Sequence, residues 1–287
     1  MNIMNWERAM PLAERQIEIE QFIGKVAVAE RSALLLDYDG TLAPFSIDRG
    51  EALPYPGVVP TLQEIMGSGR TRVVIVTGRS APEVVPLLGI HPHPEVWGAH
   101  GLQHLRPDGT CETLPLDKEV LSALENARRW LKSEGFQNLA EEKPGGIAVH
   151  WRGLPKSRTV EVRDRVLRGW FPIAQDSLMS ILEFDGGVEI RVPDLHKGDA
   201  IRIITQEMNR ETPIAYLGDD ATDEPAFDAL GDRGLSVLVR PEWRKTSARL
   251  WLRPPEELLD FLTLWMAACY DRQAENRHRT LPQRDPL

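Results

Sequence analysis

The stretch ALLLDYDGT at residues 33–41 sets an unbroken apolar run directly before two aspartates. Apolar residues without alternation, ended by charge and glycine, are typical of a strand covered on both faces, as in a parallel sheet. Two further stretches have the same form, RVVIVTGRS at residues 72–80 and PIAYLGDD at residues 213–220. Helical patterns lie between or after these runs, at about residues 57–66, 81–88 and 198–208. The order predicts an α/β fold with a doubly wound, Rossmann-like parallel sheet.

The middle of the chain has a different pattern. It contains short strand patterns, glycine-rich turns and two amphipathic helical patterns, at residues 118–134 and 157–170. Because the sheet pattern resumes afterwards, we expect this segment to be an α+β cap domain inserted into the first domain. The expected division is a catalytic core of residues 1–105 and 194–287, with the cap at residues 106–193.

The composition is that of a globular protein with an acidic surplus. The 287 residues include 34 Lys and Arg against 43 Asp and Glu, a formal net charge of −9. This balance argues against binding to nucleic acid or to an anionic membrane surface, which both need a basic face. Two cysteines cannot build a disulfide framework, and no leader pattern is found near the N-terminus. The apolar run at residues 261–270 is too short to cross a bilayer, and we expect a cytoplasmic protein. We also expect a monomer, with a polar tail that begins at Arg272.

Each of the three apolar runs ends in polar residues, at the edge where open α/β sheets bind ligands. Asp37 and Asp39 follow the first run, and Asp219 and Asp223 follow the third. Carboxylates that share a small volume repel one another unless a cation lies among them, and hard oxygen ligands favour Mg²⁺. Taken singly, the first motif could be a turn and the second a helix N-terminus. Their occurrence together at strand ends favours a metal site.

These residues resemble the four ordered motifs of the haloacid-dehalogenase-like phosphatases. The matching stretches are DYDGTL at 37–42, TGR at 77–79, KG at 197–198 and GDDATDE at 218–224. Four more stretches resemble the narrower trehalose-6-phosphate phosphatase family: GAHG at 98–101, EEK at 141–143, HWR at 150–152 and EIRVP at 189–193. The resemblance covers about residues 34–239 and implies hydrolysis of a sugar phosphate with Mg²⁺ as cofactor.

For the core, the resemblance implies catalysis through a phosphorylated aspartate. Asp37 is then the nucleophile, and Asp39 protonates the leaving oxygen before taking a proton from water. Thr77 and Lys197 are the implied partners of the phosphoryl oxygens. The implied metal ligands are Asp37, Asp39 through its main-chain carbonyl, Asp219, and Asp223 either directly or through a bound water. Asp220 receives no role.

For the inserted segment, the period of two puts charged side chains together on one side of each strand. The pairs are Glu141 with Lys143, His150 with Arg152, and Glu189 with Arg191. An ordinary solvated face has the same pattern, whereas the resemblance favours contact with sugar hydroxyls. The substrate-binding residues that it implies are Gly78, Arg79, His100, Glu141, Lys143, His150, Arg152 and Glu189.

The expected reaction is the hydrolysis of trehalose 6-phosphate to trehalose and phosphate, with a functional link to a trehalose-6-phosphate synthase. Phosphatases of sucrose phosphate or glycosyl-phosphoglycerates share the core motifs, and a phosphomutase keeps the aspartate pair. If the protein is not an enzyme, the alternative is a non-catalytic sugar-phosphate sensor or a partner of a synthase. Such a sensor has no need of both Asp37 and Asp39.

Overall fold

The computed structural model describes residues 12–46, 49–177, 179–184, 186–193 and 196–279, without the side chains of residues 49 and 272–279. The chain divides into two compact units, which we call the core unit (Met1–Cys111 and His196–Leu287) and the inserted unit (Glu112–Leu195). No helix in the described ranges is long and apolar enough to span a membrane.

The secondary structure alternates between strands and helices at both ends of the chain. The strands are β1 (Ser32–Leu36), β2 (Thr71–Val76), β3 (Glu95–Gly98), β4 (Gln103–Leu105), β5 (Cys111–Thr113), β6 (Ala140–Lys143), β7 (Gly146–His150), β8 (Ser180–Phe184), β9 (Gly187–Arg191), β10 (Ile214–Gly218), β11 (Leu235–Val239) and β12 (Leu250–Leu252). The helices are α1 (Leu12–Val28), α2 (Val58–Gly67), α3 (Ala81–Leu88), α4 (Lys118–Glu134), α5 (Lys156–Ser177), α6 (Lys197–Gln206), α7 (Glu224–Leu230) and α8 (Glu256–Arg279).

The main sheet has the strand order β12-β11-β10-β1-β2-β3-β4-β5. From β12 to β3 all neighbours are parallel, whereas β4 is antiparallel to β3. The chain winds outward from β1 through β2 and β3, then returns to the other side of β1 for β10, β11 and β12. This order confirms the predicted doubly wound sheet, and it places the topological switch point between β1 and β10.

Both faces of the main sheet are covered, which explains why its strands read as continuous apolar runs. Leu34 and Leu36 of β1 face a cluster that includes Trp265 of α8. Leu35 faces a second cluster that includes Phe227 of α7. Because alternate residues of one strand enter both clusters, the sheet is fixed from two sides and its carboxyl edge is a rigid platform for side chains.

The inserted unit has a four-stranded antiparallel sheet with the order β6-β7-β9-β8. Ile147 of β7 and Ile190 of β9 pack with Val166 and Trp170 of α5 in the apolar cluster of this unit. The opposite face of the sheet carries the side chains of Glu141, Lys143, His150 and Glu189, which we call the polar face. The observed mixture of two helices and an antiparallel sheet confirms the predicted α+β insertion.

Two helices run further than the sequence patterns predict. Helix α5 ends at Ser177 instead of residue 170, because Ala174 continues its buried stripe beyond Pro172. Helix α8 continues to Arg279, through the start of the expected polar tail at Arg272. The side chains from residue 272 and the chain from residue 280 lie outside the described residues.

Helices α1 and α8 of the core unit are joined by an ion-pair network around Glu257. Its carboxylate accepts hydrogen bonds from Arg15 Nη1 at 2.8 Å and from the main-chain N–H of Arg253 at 2.8 Å. Burial raises the pKa of Glu257, but these arginine hydrogen bonds outweigh burial and lower its pKa to about 2. Since its folded-state pKa lies below the unfolded value, Glu257 stabilises the fold above about pH 4.3, and this contribution is lost as the pH falls towards 2.

Replacing Glu257 by Gln is therefore expected to lower the free energy of unfolding at pH 7 by up to about 1 kcal/mol. The difference from the wild type should shrink as the pH falls from about 4.3 towards 2. Urea unfolding at pH 7, 4 and 3 measures it, with the exposed Glu256→Gln as the matched control. A difference that stays the same at all three pH values would refute this account of Glu257.

Candidate active site

The carboxyl ends of β1 and β10 bring two acidic loops together. The N–H of Asp37 donates to the carbonyl of Leu217 at 2.8 Å, which extends the pairing of these strands to the first aspartate. Gly40 has a φ of 83°, and a Cβ at this position would lie 2.2 Å from Asp219 Oδ2. Only glycine allows the loop after β1 to approach Asp219 this closely.

Asp37, Asp219 and Asp223 form a buried group that we call the carboxylate cluster. One carboxylate oxygen from each lies within 4.8 Å of the others. Lys197, the first residue of α6, places its Nζ 2.7 Å from Asp37 Oδ1 and 2.7 Å from Asp223 Oδ1. One ammonium group therefore lies against two of three neighbouring carboxylates, so full ionisation of the cluster would leave an excess of negative charge in a buried site.

Burial and the crowding of the three carboxylates both change the pKa values of the cluster. Burial, opposed by Lys197, raises the pKa of Asp37 to about 7. Burial and the charges of Asp37 and Asp223 raise the pKa of Asp219 to about 10. Burial would lower the pKa of Lys197, but Asp223 and Asp37 beside it raise that pKa above its usual value.

The cluster fits a divalent cation. Hard carboxylate oxygens on Asp37 and Asp219 are the ligand type that such ions prefer. The raised pKa of Asp219 shows a carboxylate that needs positive charge beside it to ionise. Gly40, which has no side chain, lets the main chain of the loop after β1 lie directly against Asp219 in this cluster.

Asp39 lies outside the carboxylate cluster and pairs with Arg79. The guanidinium donates from Nε to Oδ2 at 2.6 Å and from Nη2 to Oδ1 at 2.5 Å. Arg79 is only 4% exposed, and its Cζ lies 5.4 Å from the centre of the Tyr38 ring. A bidentate pair of this kind orients a carboxylate firmly. The structure thus shows Arg79, expected as a substrate contact, in direct contact with Asp39.

The turn at residues 99–101 supports the loop after β2. The N–H of His100 donates to the carbonyl of Thr77 at 2.9 Å, and the Thr77 hydroxyl accepts the N–H of Arg79 at 3.1 Å. A Cβ on Gly78 would lie 2.7 Å from Cε1 of His100, so this imidazole packs directly on the glycine. The expected residues Thr77, Gly78 and His100 therefore occupy one place beside the carboxyl end of β2.

Asp220, which had no expected role, caps the short helical turn at residues 221–223. Its side chain accepts the N–H of Asp223, while the Asp223 carboxylate accepts the N–H of Asp220 at 3.0 Å. This reciprocal arrangement is a capping box. The acidic run after β10 therefore combines a structural residue, Asp220, with two members of the carboxylate cluster.

In the inserted unit, the residues of the polar face are paired with one another. Lys143 Nζ lies 3.2 Å from Glu189 Oε2, and His150 Nε2 lies 2.6 Å from Glu141 Oε2. The Phe184 ring covers Gly187, where a Cβ would lie 2.2 Å from its Cζ. A Cβ on Gly186 would lie 3.0 Å from Arg152 Nε, which places Arg152 at the turn between β8 and β9.

Two side chains at these sites were not predicted from the sequence. Tyr216 donates its hydroxyl to Asp223 Oδ1, but it lies within an apolar strand run that hides its polar atom. The ring of Phe184 makes an edge contact with the ring of His150, and the two ring centres lie 5.5 Å apart. The period of two along β8 is the one signal that could have placed Phe184 on the polar face.

The sequence of the chain matches the model of the trehalose-phosphatase family over residues 35–252. The trehalose-phosphate phosphatase of Mycobacterium marinum (strain ATCC BAA-535 / M) is 31% identical over 247 residues, which cover 80% of this chain and 60% of that protein. The chain thus spans less than two thirds of the length of this curated relative.

Solved structures share the fold. The C-terminal domain of trehalose-6-phosphate phosphatase from C. albicans has a TM-score of 0.69 at 20% identity, and the match covers 87% of this chain and 96% of that chain. A haloacid dehalogenase-like hydrolase from Bacteroides thetaiotaomicron has a TM-score of 0.59 at 14% identity, covering 81% and 98%. Since the family model extends over most of the chain, from within β1 to the end of β12, the chain belongs to the trehalose-phosphatase family.

Proposed function

We propose that the chain is a Mg²⁺-dependent phosphatase that hydrolyses trehalose 6-phosphate to trehalose and phosphate. The observation that carries this proposal is the carboxylate cluster with Lys197, buried at the switch point of the sheet. A buried aspartate beside an ammonium group and a candidate cation site can act as a nucleophile towards phosphorus. The family match and the name of the M. marinum relative support the choice of substrate.

In the first step, Asp37 attacks phosphorus while the bond from phosphorus to the sugar oxygen breaks. Asp39 gives its proton to that oxygen, which leaves as the sugar hydroxyl. This step needs a proton on Asp39, which the two hydrogen bonds from Arg79 hold in one orientation. Lys197 and Thr77 stabilise the negative charge on the phosphoryl oxygens.

In the second step, water attacks the phosphorus of phosphorylated Asp37 and loses a proton to Asp39. The bond between phosphorus and the Asp37 oxygen breaks, which restores both aspartates and releases phosphate. Asp37, Asp219 and the main-chain carbonyl of Asp39 would hold Mg²⁺, and Asp223 would act directly or through water. When bound, this ion supplies positive charge beside the phosphoryl group.

We further propose that the inserted unit (Glu112–Leu195), which overlaps the cap expected at residues 106–193, determines the specificity for the sugar. Its polar face presents both acceptors and donors, as a ring of hydroxyl groups requires. Arg152 would reach the same sugar, whereas Gly78, Arg79 and His100 would contribute at the phosphate end of the substrate. A synthase that makes trehalose 6-phosphate would then supply the substrate.

Removing Lys143 tests this role of the polar face. Lys143→Ala should raise the KM for trehalose 6-phosphate about 10-fold or more, because a hydrogen bond from a charged group is lost. The hydrolysis of p-nitrophenyl phosphate, which lacks the sugar, should stay unchanged. Steady-state kinetics with both substrates measure the effect, and the exposed Lys132→Ala is the control. Equal losses with both substrates would show that the polar face does not recognise the sugar.

Phosphate release from a panel of sugar phosphates, with Mg²⁺ and with EDTA, tests the proposed reaction. We expect Mg²⁺-dependent release from trehalose 6-phosphate well above that from sucrose phosphate or glucose 6-phosphate. Equal release from every compound would refute the assigned substrate. No release at all would instead favour a non-catalytic sugar-phosphate sensor.

A further inference from the structure

The carboxylate of Asp223 is saturated with hydrogen bonds from its own chain. Its Oδ1 accepts from Lys197 Nζ at 2.7 Å and from the hydroxyl of Tyr216. Its Oδ2 accepts the N–H groups of Asp219 and Asp220, each at 3.0 Å. An ionised carboxylate has about four acceptor positions, so four donors occupy all of them.

The niche around this carboxylate is closed. Asp223 is 0% exposed, and a Cβ on Gly218 would lie 2.4 Å from its Cγ. Tyr216, also buried, is held in β10 and makes an edge contact with the ring of Phe227 at 5.6 Å. Both side chains are fully buried, and this packing holds the Tyr216 hydroxyl against Asp223.

To bind a cation directly, Asp223 would need a free lone pair, but its lone pairs already accept hydrogen bonds. Asp37 and Asp219 do not share this set of four donors. Asp37 Oδ1 lies 2.7 Å from Lys197 Nζ, and one carboxylate oxygen of Asp37 and one of Asp219 lie within 4.8 Å of each other. The three aspartates lie close together, but their hydrogen bonding separates two candidate ligands from one saturated group.

We propose that Tyr216 and Asp223 act together as positioning residues: Asp223, held by the Tyr216 hydroxyl, fixes Lys197 and the main chain of Asp219, and does not bind the cation itself. This inference rests on the cation site of the proposed function. It assigns a role to Tyr216, which lies outside the acidic motif after β10. It also decides how Asp223 takes part in the site, which the motif leaves open.

The two roles of Asp223 predict opposite effects when the Tyr216 hydroxyl is removed. If Asp223 were a direct ligand, Tyr216→Phe would free one of its lone pairs, and the cation would bind more tightly or equally well. If Asp223 is a positioning residue, the variant loosens the loop that carries Asp219. Loss of such supporting contacts typically weakens metal binding by about 10- to 100-fold.

Calorimetric titration of the full chain with Mn²⁺ separates these outcomes. We expect wild type and Tyr270→Phe, which removes the hydroxyl of an exposed tyrosine on α8, to bind with the same affinity. Tyr216→Phe should bind about 10-fold or more weakly, with unchanged stoichiometry. Equal or tighter binding by Tyr216→Phe would overturn the inference alone. Absence of binding to the wild type would overturn both the inference and the proposed cation site.

A second variant and a folding control complete the test. Asp223→Asn should also weaken Mn²⁺ binding, because an amide cannot accept from all four donors. Opposite effects of Tyr216→Phe and Asp223→Asn would identify Asp223 as a direct ligand and overturn the inference. Circular dichroism checks that Tyr216→Phe, which removes one oxygen atom, stays folded. A variant that unfolds would show that Tyr216 serves the fold and not the position of Asp223.

Discussion

Asp37→Asn is expected to lower the turnover of trehalose 6-phosphate by about 10⁴-fold or more, since an amide cannot serve as the nucleophile. The fold should survive, because the side chain keeps its shape and the N–H that pairs with Leu217 is unchanged. Removing one of three crowded carboxylates also relieves repulsion in the cluster. We therefore expect thermal stability without Mg²⁺ to stay equal or to rise.

The measurement for this variant is phosphate release at saturating substrate and Mg²⁺, together with thermal unfolding. Asp228→Asn, an exposed change on α7, is the matched control and should keep full activity. Retention of more than a few per cent of wild-type activity by Asp37→Asn would refute Asp37 as the nucleophile. If the variant loses much of its stability, direct labelling of the wild-type protein identifies the nucleophile instead.

Lys197→Met should lower kcat by about 10²- to 10³-fold, the loss typical of removing one group that stabilises charge in a transition state. Its Nζ lies between Asp37 and Asp223, so the variant also leaves buried carboxylates without their ammonium partner. Loss of one partner from a buried ion pair typically costs about 3–5 kcal/mol. We expect lower thermal stability without divalent cation and partial recovery when Mg²⁺ is added.

Steady-state kinetics and thermal unfolding, each with and without Mg²⁺, measure both effects. The control is Lys245→Met, an exposed lysine after β11. An increase of KM with unchanged kcat would show that Lys197 binds the substrate without stabilising the reaction. If Lys197→Met is as stable as the wild type without the cation, then Lys197 does not offset the negative charge of the carboxylate cluster.

The strand ends could be predicted from sequence because buried parallel strands leave a strong local signal. The run at residues 33–36 and the aspartates after it lie in consecutive positions, so one short stretch contains both the strand and its chemistry. The same holds for β10 and the acidic loop that follows. The pairing of β1 with β10 was only a condition of the sequence argument, and the structure shows it.

Other contacts leave no local signal. Asp39 and Arg79 are 40 residues apart, and nothing near either residue indicates a bidentate pair. Tyr216 reads as one more residue of an apolar strand, although its hydroxyl reaches Asp223. The extension of α5 beyond residue 170 depends on packing of Ala174 in the inserted unit and not on helix propensity. These features arise from tertiary contacts, which a pattern within one segment does not encode.

Trapping the phosphorylated enzyme tests the central claim most directly. Wild-type protein is mixed with trehalose 6-phosphate carrying ³²P in its phosphate group, in the presence of Mg²⁺, and quenched in acid within one turnover. Peptide mapping should place the label on Asp37, and Asp37→Asn should carry none. Label on a different residue, or phosphate release from wild type without labelled protein, would contradict the account.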